Sequence, residues 1–298
     1  MKKFILLFLS ILFIPVVYAE EECGLLNLAS CIPQKIYDFF LNLINAPLIP
    51  LLNLVKSLLT EPVDISLFGS IWAIMLYIIS LFYGLLMLYS GFNFMTAGYD
   101  SARRANAKEW FRNILIMMVL VQASYYLYSL IIDLSSLLTA GVMGLINQQF
   151  FLITADNLTN IGLEFFFILF YALTLLFTVI ILALRYIFVG VGLIFAPLAI
   201  FFYFIPPLRG YGKLIMNFFG NCIFITFFDA LILLVCAKLV EIPLFATIKI
   251  LVMISAFSIV NIMMFYFMFF SAIKSAANTA SSTAGTVKTI VSVVKYFA

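Results

Sequence analysis

The sequence has no histidine, and only 10% of its 298 residues carry a charged side chain. Without histidine, it cannot form a Ser-His-Asp triad, a rhomboid-type Ser-His pair or the usual zinc and haem ligand sets. It also lacks a GxGD aspartyl-protease motif, a Walker motif, a Rossmann glycine pattern and a strict GxxxG motif. We therefore predict that the protein is not an enzyme and has no catalytic residues, no metal ligands and no cofactor.

Apolar residues, by contrast, are abundant. Hydrophobic residues make up 66% of the chain and aromatic residues 17%, and the mean hydropathy is +1.22. A soluble domain is about 45–50% apolar, and so few charged residues could not cover a water-facing surface. Lipid requires no such cover. The composition therefore predicts an all-α, polytopic transmembrane protein.

The first 19 residues are typical of a cleaved signal peptide. Lys2 and Lys3 precede an apolar run from Phe4 to Ile14, and small residues end the segment at Ala19. Because the run is shorter than the roughly 20 residues that a span needs, we favour cleavage, and an uncleaved anchor is the alternative. Cleavage would place the mature N-terminus outside the cell.

Residues 20–69 contain four prolines among leucine-rich stretches. Because proline interrupts helices, we expect short extracytoplasmic amphipathic helices at the membrane interface; a loop packed on the rest of the protein is the alternative. Cys23 and Cys31 would face an oxidising exterior there and could form a disulfide. Cys222 and Cys236 lie in an apolar run and are interpreted as small buried hydrophobic residues.

Residues 70–273 are predicted to form a transmembrane domain with six spans. The apolar region 165–208 is too long for one span and contains a single charge, Arg185, so we expect two spans to meet there. A re-entrant hairpin over residues 186–208 is the alternative and would leave five spans. Segment 134–155 is interpreted as interfacial or re-entrant, and the tail 274–298 as disordered or ordered by a partner. The other spans are predicted at residues 70–96, 113–132, 214–237 and 250–273.

A basic segment follows the first predicted span. With the N-terminus outside, this segment falls inside, as the positive-inside rule expects for a cell-membrane protein. Residues 134–163 then fall outside; they contain no lysine or arginine, and Asn157 begins a glycosylation sequon there. The side of the C-terminus depends on whether the chain has five or six spans. The cations of the basic segment are Arg103, Arg104, Lys108 and Arg112.

Polar residues within the predicted spans are candidates for function. Asp229 lies near the centre of its span, where an unpaired carboxylate costs several kcal/mol. Asn217 and Asn221 precede it at multiples of four residues, and Gln122 lies in another span. These groups either line a water-filled path or form interhelical hydrogen bonds. Arg185 either pairs with Asp229 or Glu164, or marks a tight internal turn and reaches lipid phosphates; the sequence favours the second interpretation.

Two stretches carry a family resemblance. GFNFMTAGYD with ARRANAKEW, and ALRYIFVGVGLIFAPLAIFFYFIPPLRGYGK, are similar to segments of the polytopic inner-membrane subunit of type IV secretion and conjugation systems. This is the TrbL family, which includes the sixth VirB protein, and the resemblance covers roughly residues 66–240. It implies an oligomeric component of a DNA or protein transfer channel, with a pilin and separate ATPases as partners. The sequon and the phenylalanine- and isoleucine-rich composition would suit an archaeal version.

Two functional hypotheses follow. In the first, the protein is a structural and pore-forming subunit of such an apparatus, and its basic segment contacts DNA phosphates, an ATPase or membrane lipids. In the second, it is a self-contained small-solute channel or secondary transporter that uses Asp229 and Arg185 as binding or coupling groups. Internal repeats would favour the second hypothesis, and the sequence shows none.

Overall fold

The computed structural model describes residues 28–98, 100–153, 161–246 and 248–270, and all the regular elements in them are helical. The predicted all-α class is therefore confirmed. Contacts divide the chain into residues 1–43 and residues 44–298; of the first unit, only residues 28–43 are described. The predicted signal peptide, Cys23, Asn157 and the tail 274–298 lie outside the described residues, as do the side chains of Cys31 and Glu164.

Eight α-helices are present in the described residues, together with three short 3-10 turns and a π-helical turn after α8. The α-helices are α1 (Leu28–Thr60), α2 (Gly69–Thr96), α3 (Ser101–Gln122), α4 (Ser124–Met143), α5 (Ile161–Phe204), α6 (Arg209–Val240), α7 (Pro243–Ala246) and α8 (Lys249–Phe265). The 3-10 turns are Ser66–Phe68, Gln148–Phe151 and Pro206–Leu208, and the π-helical turn is Tyr266–Phe270.

Within the described residues, five helical segments are long and apolar enough to cross a membrane, so the protein is a multi-pass membrane protein. That part of the chain therefore holds five candidate spans where six are predicted, and the difference does not come from a re-entrant hairpin over residues 186–208. Helix α5 passes through Arg185 without a turn and continues past Pro197 to Phe204. The segments are Ser66–Thr96, Ser124–Met143, Phe166–Phe204, Pro206–Val240 and Lys249–Phe269.

The predicted span at residues 113–132 is divided between two helices, and only its second part lies in a span assigned by length and composition. A single residue, Ala123, separates α3 from α4, and the apolar span begins after it. The polar residues that suggested an interfacial segment from residue 134 onward instead lie on a helix. Ser135 and Thr139 are buried between α4 and α6, where their hydroxyl groups are hydrogen-bonded. Their polarity is therefore satisfied within the protein and does not end the span.

The prediction of several short helices after the signal peptide is also wrong. Helix α1 is continuous over 33 residues and includes Pro47 and Pro50. Proline removes one backbone hydrogen bond, but the helix is held by tertiary packing of one face. Leu48, Val55 and Leu59 are only 1%, 3% and 2% exposed. Burial of three large side chains outweighs the loss of single hydrogen bonds.

Helices α2 and α3 form an antiparallel pair. At one end, Trp72 Nε1 donates to Ser124 Oγ over 3.0 Å, and toward the other end the rings of Tyr89 and Trp110 meet edge to face at 5.6 Å. Between these contacts, Ile79 packs with Met117 and with Phe201 of α5. The pair therefore brings the basic first turns of α3 beside the end of the first span.

Candidate functional site

The basic segment forms the first three turns of α3. Asp100 begins the helix by accepting a hydrogen bond of 3.0 Å from the Ala102 backbone N–H. The helical spacing of four residues places Arg104, Lys108 and Arg112 on one exposed face, which we call the basic stripe. Arg104 also donates to the Gly98 carbonyl oxygen. The structure thus brings three of the four predicted cations onto one surface.

The fourth cation, Arg103, lies on a different face of α3. Ala107 and Trp110 lie four and seven residues later, and these two residues pack toward the protein. Arg103 and Arg112 each form an exposed ion pair with an acidic residue three positions earlier, at 3.4 Å to Asp100 and 3.9 Å to Glu109. Exposed pairs of this kind contribute little to stability. They therefore leave both guanidinium groups able to exchange partners.

A cavity of about 330 Å³ lies between the end of α2 and the start of α3. We call it the α2–α3 cleft. Polar side chains from both helices line it, together with the Trp110 ring. The lining residues are Asn93, Thr96, Ala97, Arg103, Asn106, Ala107 and Trp110.

Arg185 occupies a second polar region, between α1, α5 and α6. Its side chain is buried, and Nε donates to the Cys222 carbonyl oxygen over 2.8 Å. One Nη nitrogen donates to the Ile223 carbonyl oxygen over 3.2 Å, and the other to that of Leu58 over 3.4 Å. Leu58 is in the last turn of α1, where carbonyl oxygens lack helical partners and the helix dipole favours a cation. The predicted turn and lipid contact of Arg185 are therefore wrong.

Hydroxyl groups extend this polar region along α4 and α6. Ser135 Oγ donates to the Ile223 carbonyl oxygen over 2.8 Å. The same carbonyl oxygen also accepts a hydrogen bond from Arg185. One turn further, Thr139 and Thr226 face each other with their hydroxyl oxygens 3.5 Å apart. These contacts are interhelical hydrogen bonds between buried groups, as one of the two interpretations of the intramembrane polar residues expects.

Asp229 lies one turn beyond Thr226 and is fully buried. Both of its carboxylate oxygens lack a hydrogen-bond partner among the described residues. It interacts electrostatically with Arg185, but the nitrogens of Arg185 are directed to backbone carbonyls. The alternative interpretation, a direct pair between Arg185 and Asp229, is therefore also wrong, because within the described residues the two groups interact only through space.

Asn261 of α8 is a further buried polar residue of the apolar region. Asn261 Nδ2 donates to the Thr174 carbonyl oxygen over 3.4 Å, whereas its Oδ1 has no partner among the described residues. Asn261 is visible in the sequence as a polar residue of a predicted span, but its partner is not, because Thr174 lies on α5 and is distant in the chain.

The remaining predicted polar residues do not join Asp229. Asn217 is exposed and Asn221 is half-buried, although both lie on α6 with Asp229. Gln122 is exposed at the end of α3 and lines an open groove with Tyr83 and Tyr126. The expected continuous polar face of α6 is therefore limited to the buried segment from Thr226 to Asp229.

Comparison with known proteins gives no match. The chain matches no protein-family model, no curated protein and no solved structure. Within the part of the chain that the structure describes, no group of three His, Cys, Asp or Glu side chains is placed to hold a metal ion. Cys222 and Cys236 are buried and form no disulfide.

Proposed function

We propose that the protein is a membrane-embedded structural and pore-forming subunit of a type IV secretion-like apparatus, which moves DNA or protein with energy from separate ATPases. The observation that carries the proposal is the basic stripe, an exposed row of three cations directly after an apolar span. Repeated cations at helical spacing suit the phosphates of a nucleic acid or the acidic surface of an ATPase.

The exposure of the first span supports a role within an assembly. In the most apolar window of Ser66–Thr96, only 6% of the residues are buried by the chain itself, compared with 44% in the spans of α6 and α8. Lipid or neighbouring subunits must cover the remaining apolar surface. A subunit that completes its packing in an oligomer would have such a helix.

A self-contained small-solute channel or secondary transporter is the second candidate, and Asp229 favours it. A buried carboxylate without a hydrogen-bond partner is costly and is often found at intramembrane functional sites. The hydrogen bonds of Arg185 disfavour this candidate, because its guanidinium group already donates to three backbone carbonyl oxygens. A substrate would have to break those hydrogen bonds in order to bind it.

Replacement of Arg104, Lys108 and Arg112 by glutamine tests the proposal. We expect this triple variant to insert normally and to lower DNA transfer at least about tenfold, since each lost phosphate contact weakens binding. The matched control replaces the exposed Lys56, Lys213 and Lys238 by glutamine and removes the same charge. An equal loss of DNA transfer in both variants would show that the stripe contributes only its net charge. A loss of membrane insertion in the first variant would show that the stripe serves only to orient the protein.

Purification of the tagged protein distinguishes the two candidates. The transfer subunit should co-purify with an ATPase and a pilin from its native membrane. A protein that purified alone and catalysed solute flux in proteoliposomes would instead be the channel or transporter. In that case, flux should depend on Asp229 and should be unaffected by the triple variant of the basic stripe.

A further inference from the structure

The α2–α3 cleft combines a cavity with the donors that recognise a phosphate group. Arg103 is the one cation among the described residues that line it, and Asn93 and Asn106 bring side-chain amides from both helices. Thr96 directs its hydroxyl to the backbone carbonyls of Phe92 and Asn93, at 3.0 and 3.2 Å. The donors available to a ligand are therefore the guanidinium group and the two amides, which suit an anion with several acceptor oxygens.

The residues around the cleft are of the kind expected at the depth of a lipid headgroup. Trp110 and Tyr89, which contact each other at 5.6 Å, form an aromatic pair of the kind found at membrane interfaces. Beyond Trp110, the outer face of α3 is apolar, with Leu115 and Val119 exposed. Arg103 lies seven residues before Trp110, about 10 Å along the helix. This distance places the guanidinium group in the headgroup layer, on the polar side of the aromatic pair.

Apolar side chains are exposed on α2 at the level of the cleft. Phe92 and Met95 adjoin the polar lining residues Asn93 and Thr96 in the chain, lie on sides of α2 turned away from the cleft, and are 57% and 71% exposed. Exposed aromatic and aliphatic groups at this level are unsuited to water alone, but they suit the glycerol and upper acyl region of surrounding phospholipids. A phosphate group that reaches the cleft from this layer would belong to a lipid.

We propose that the α2–α3 cleft binds the phosphodiester of one membrane phospholipid, with Arg103 and Asn106 on the phosphate. Asp100 lies 3.4 Å from Arg103 Nε and must share or release the guanidinium group when lipid binds. The site goes beyond the proposed function, because it belongs to the face of α3 opposite the basic stripe. A lipid held there would fix the α2–α3 corner at the membrane surface.

The test compares Arg103→Gln with Arg112→Gln. Both variants remove one exposed arginine from an ion pair on the same helix, but only Arg103 lines the cleft. The purified, delipidated protein in detergent is titrated with phosphatidylglycerol, and bound lipid is counted by native mass spectrometry. We expect Arg103→Gln to lose binding about fivefold or more, Asn106→Leu to lose binding as well, and Arg112→Gln to stay within twofold of the unchanged protein.

Separate probes establish the source of the phosphate. Inorganic phosphate and a short single-stranded DNA are titrated under the same conditions, with phosphatidylcholine as a zwitterionic lipid. Binding of either phospholipid that depends on Arg103 supports the proposal, and the comparison of the two shows whether net headgroup charge matters. Equal loss in Arg103→Gln and Arg112→Gln would overturn it, and so would DNA binding that depends on Arg103 and displaces the lipid. Retained lipid binding in Arg103→Gln would also overturn it.

Discussion

Arg185 Nε donates a hydrogen bond of 2.8 Å to the Cys222 carbonyl oxygen, so a charged side chain of α5 is fixed to the backbone of α6. The same guanidinium group reaches the last turn of α1 through Leu58. Three helices therefore meet on one cation. A buried arginine of this kind is a structural junction, and we expect its replacement to lower the stability of the fold.

Replacement of Arg185 by methionine should destabilise the protein by about 2–5 kcal/mol, because three carbonyl oxygens lose a charged donor and Asp229 loses its nearby opposite charge. The stability of Arg185→Lys should fall between those of Arg185→Met and the unchanged protein. Lysine keeps the positive charge, but its ammonium group cannot reproduce the planar set of donors. Thermal unfolding in detergent, followed by tryptophan fluorescence, measures both. Arg209→Gln is the control, because Arg209 is exposed. Equal unfolding temperatures for Arg185→Met and the control would refute the junction.

Replacement of Asp229 by leucine or asparagine should change stability by no more than about 1 kcal/mol. The carboxylate has no hydrogen-bond partner to lose among the described residues, and the desolvation cost that its removal relieves opposes the attraction to Arg185 that is lost with it. Transfer or transport measured in the same variants then reports function alone. Unchanged activity would make Asp229 a tolerated polar residue. A loss of stability as large as that of Arg185→Met would show instead that the two residues depend on each other structurally.

Gly212→Ala should destabilise the start of α6 by about 1–3 kcal/mol. A Cβ atom there would lie 2.5 Å from the Tyr203 backbone nitrogen and 2.7 Å from the Ala199 carbonyl oxygen, and backbone atoms cannot move aside cheaply. Gly220→Ala on the same helix is the matched control, since its Cβ meets nothing within 4 Å. Alanine should be neutral or slightly stabilising at that position. Similar unfolding temperatures for the two variants would contradict the close approach of α5 and α6.

A pH effect is expected at the turn before α2. Hydrogen bonds from the Ser66 hydroxyl and backbone N–H lower the pKa of Asp64 below its usual 3.8. The folded state therefore gains stability from ionised Asp64 above this value and loses it as the pH falls through the lowered pKa. Asp64→Asn should flatten the acid limb of the unfolding temperature below about pH 4. Parallel acid limbs in the variant and the unchanged protein would argue against the Asp64 contribution.

The orientation of the protein is a prediction that labelling can check. In a background without native cysteines, Ser101→Cys should react with an impermeant thiol reagent only after the cells are permeabilised, because the basic segment is predicted inside. Leu145→Cys, at an exposed position after α4, should react in intact cells. The reverse pattern would invert the predicted topology and remove the basis for contact between the basic stripe and cytosolic partners.

The sequence alone was sufficient for the class and for the apolar spans that have clear ends. Three predicted spans, at residues 70–96, 214–237 and 250–273, correspond closely to Ser66–Thr96, Pro206–Val240 and Lys249–Phe269. These elements follow from hydrophobic run length, which any single segment carries within itself. The basic segment was equally visible, because four cations close together are rare in a chain with 10% charged residues.

The tertiary structure decided what polar residues within the apolar regions mean. From the sequence, Arg185 indicated a break between two spans and Ser135 the start of an interfacial segment, yet both lie inside continuous helices. Whether a polar group ends a span depends on whether a neighbouring helix supplies its hydrogen bonds, and that neighbour is distant in sequence. The Leu58, Cys222 and Ile223 carbonyls that satisfy Arg185 come from two other helices, so no reading of α5 alone could have found them.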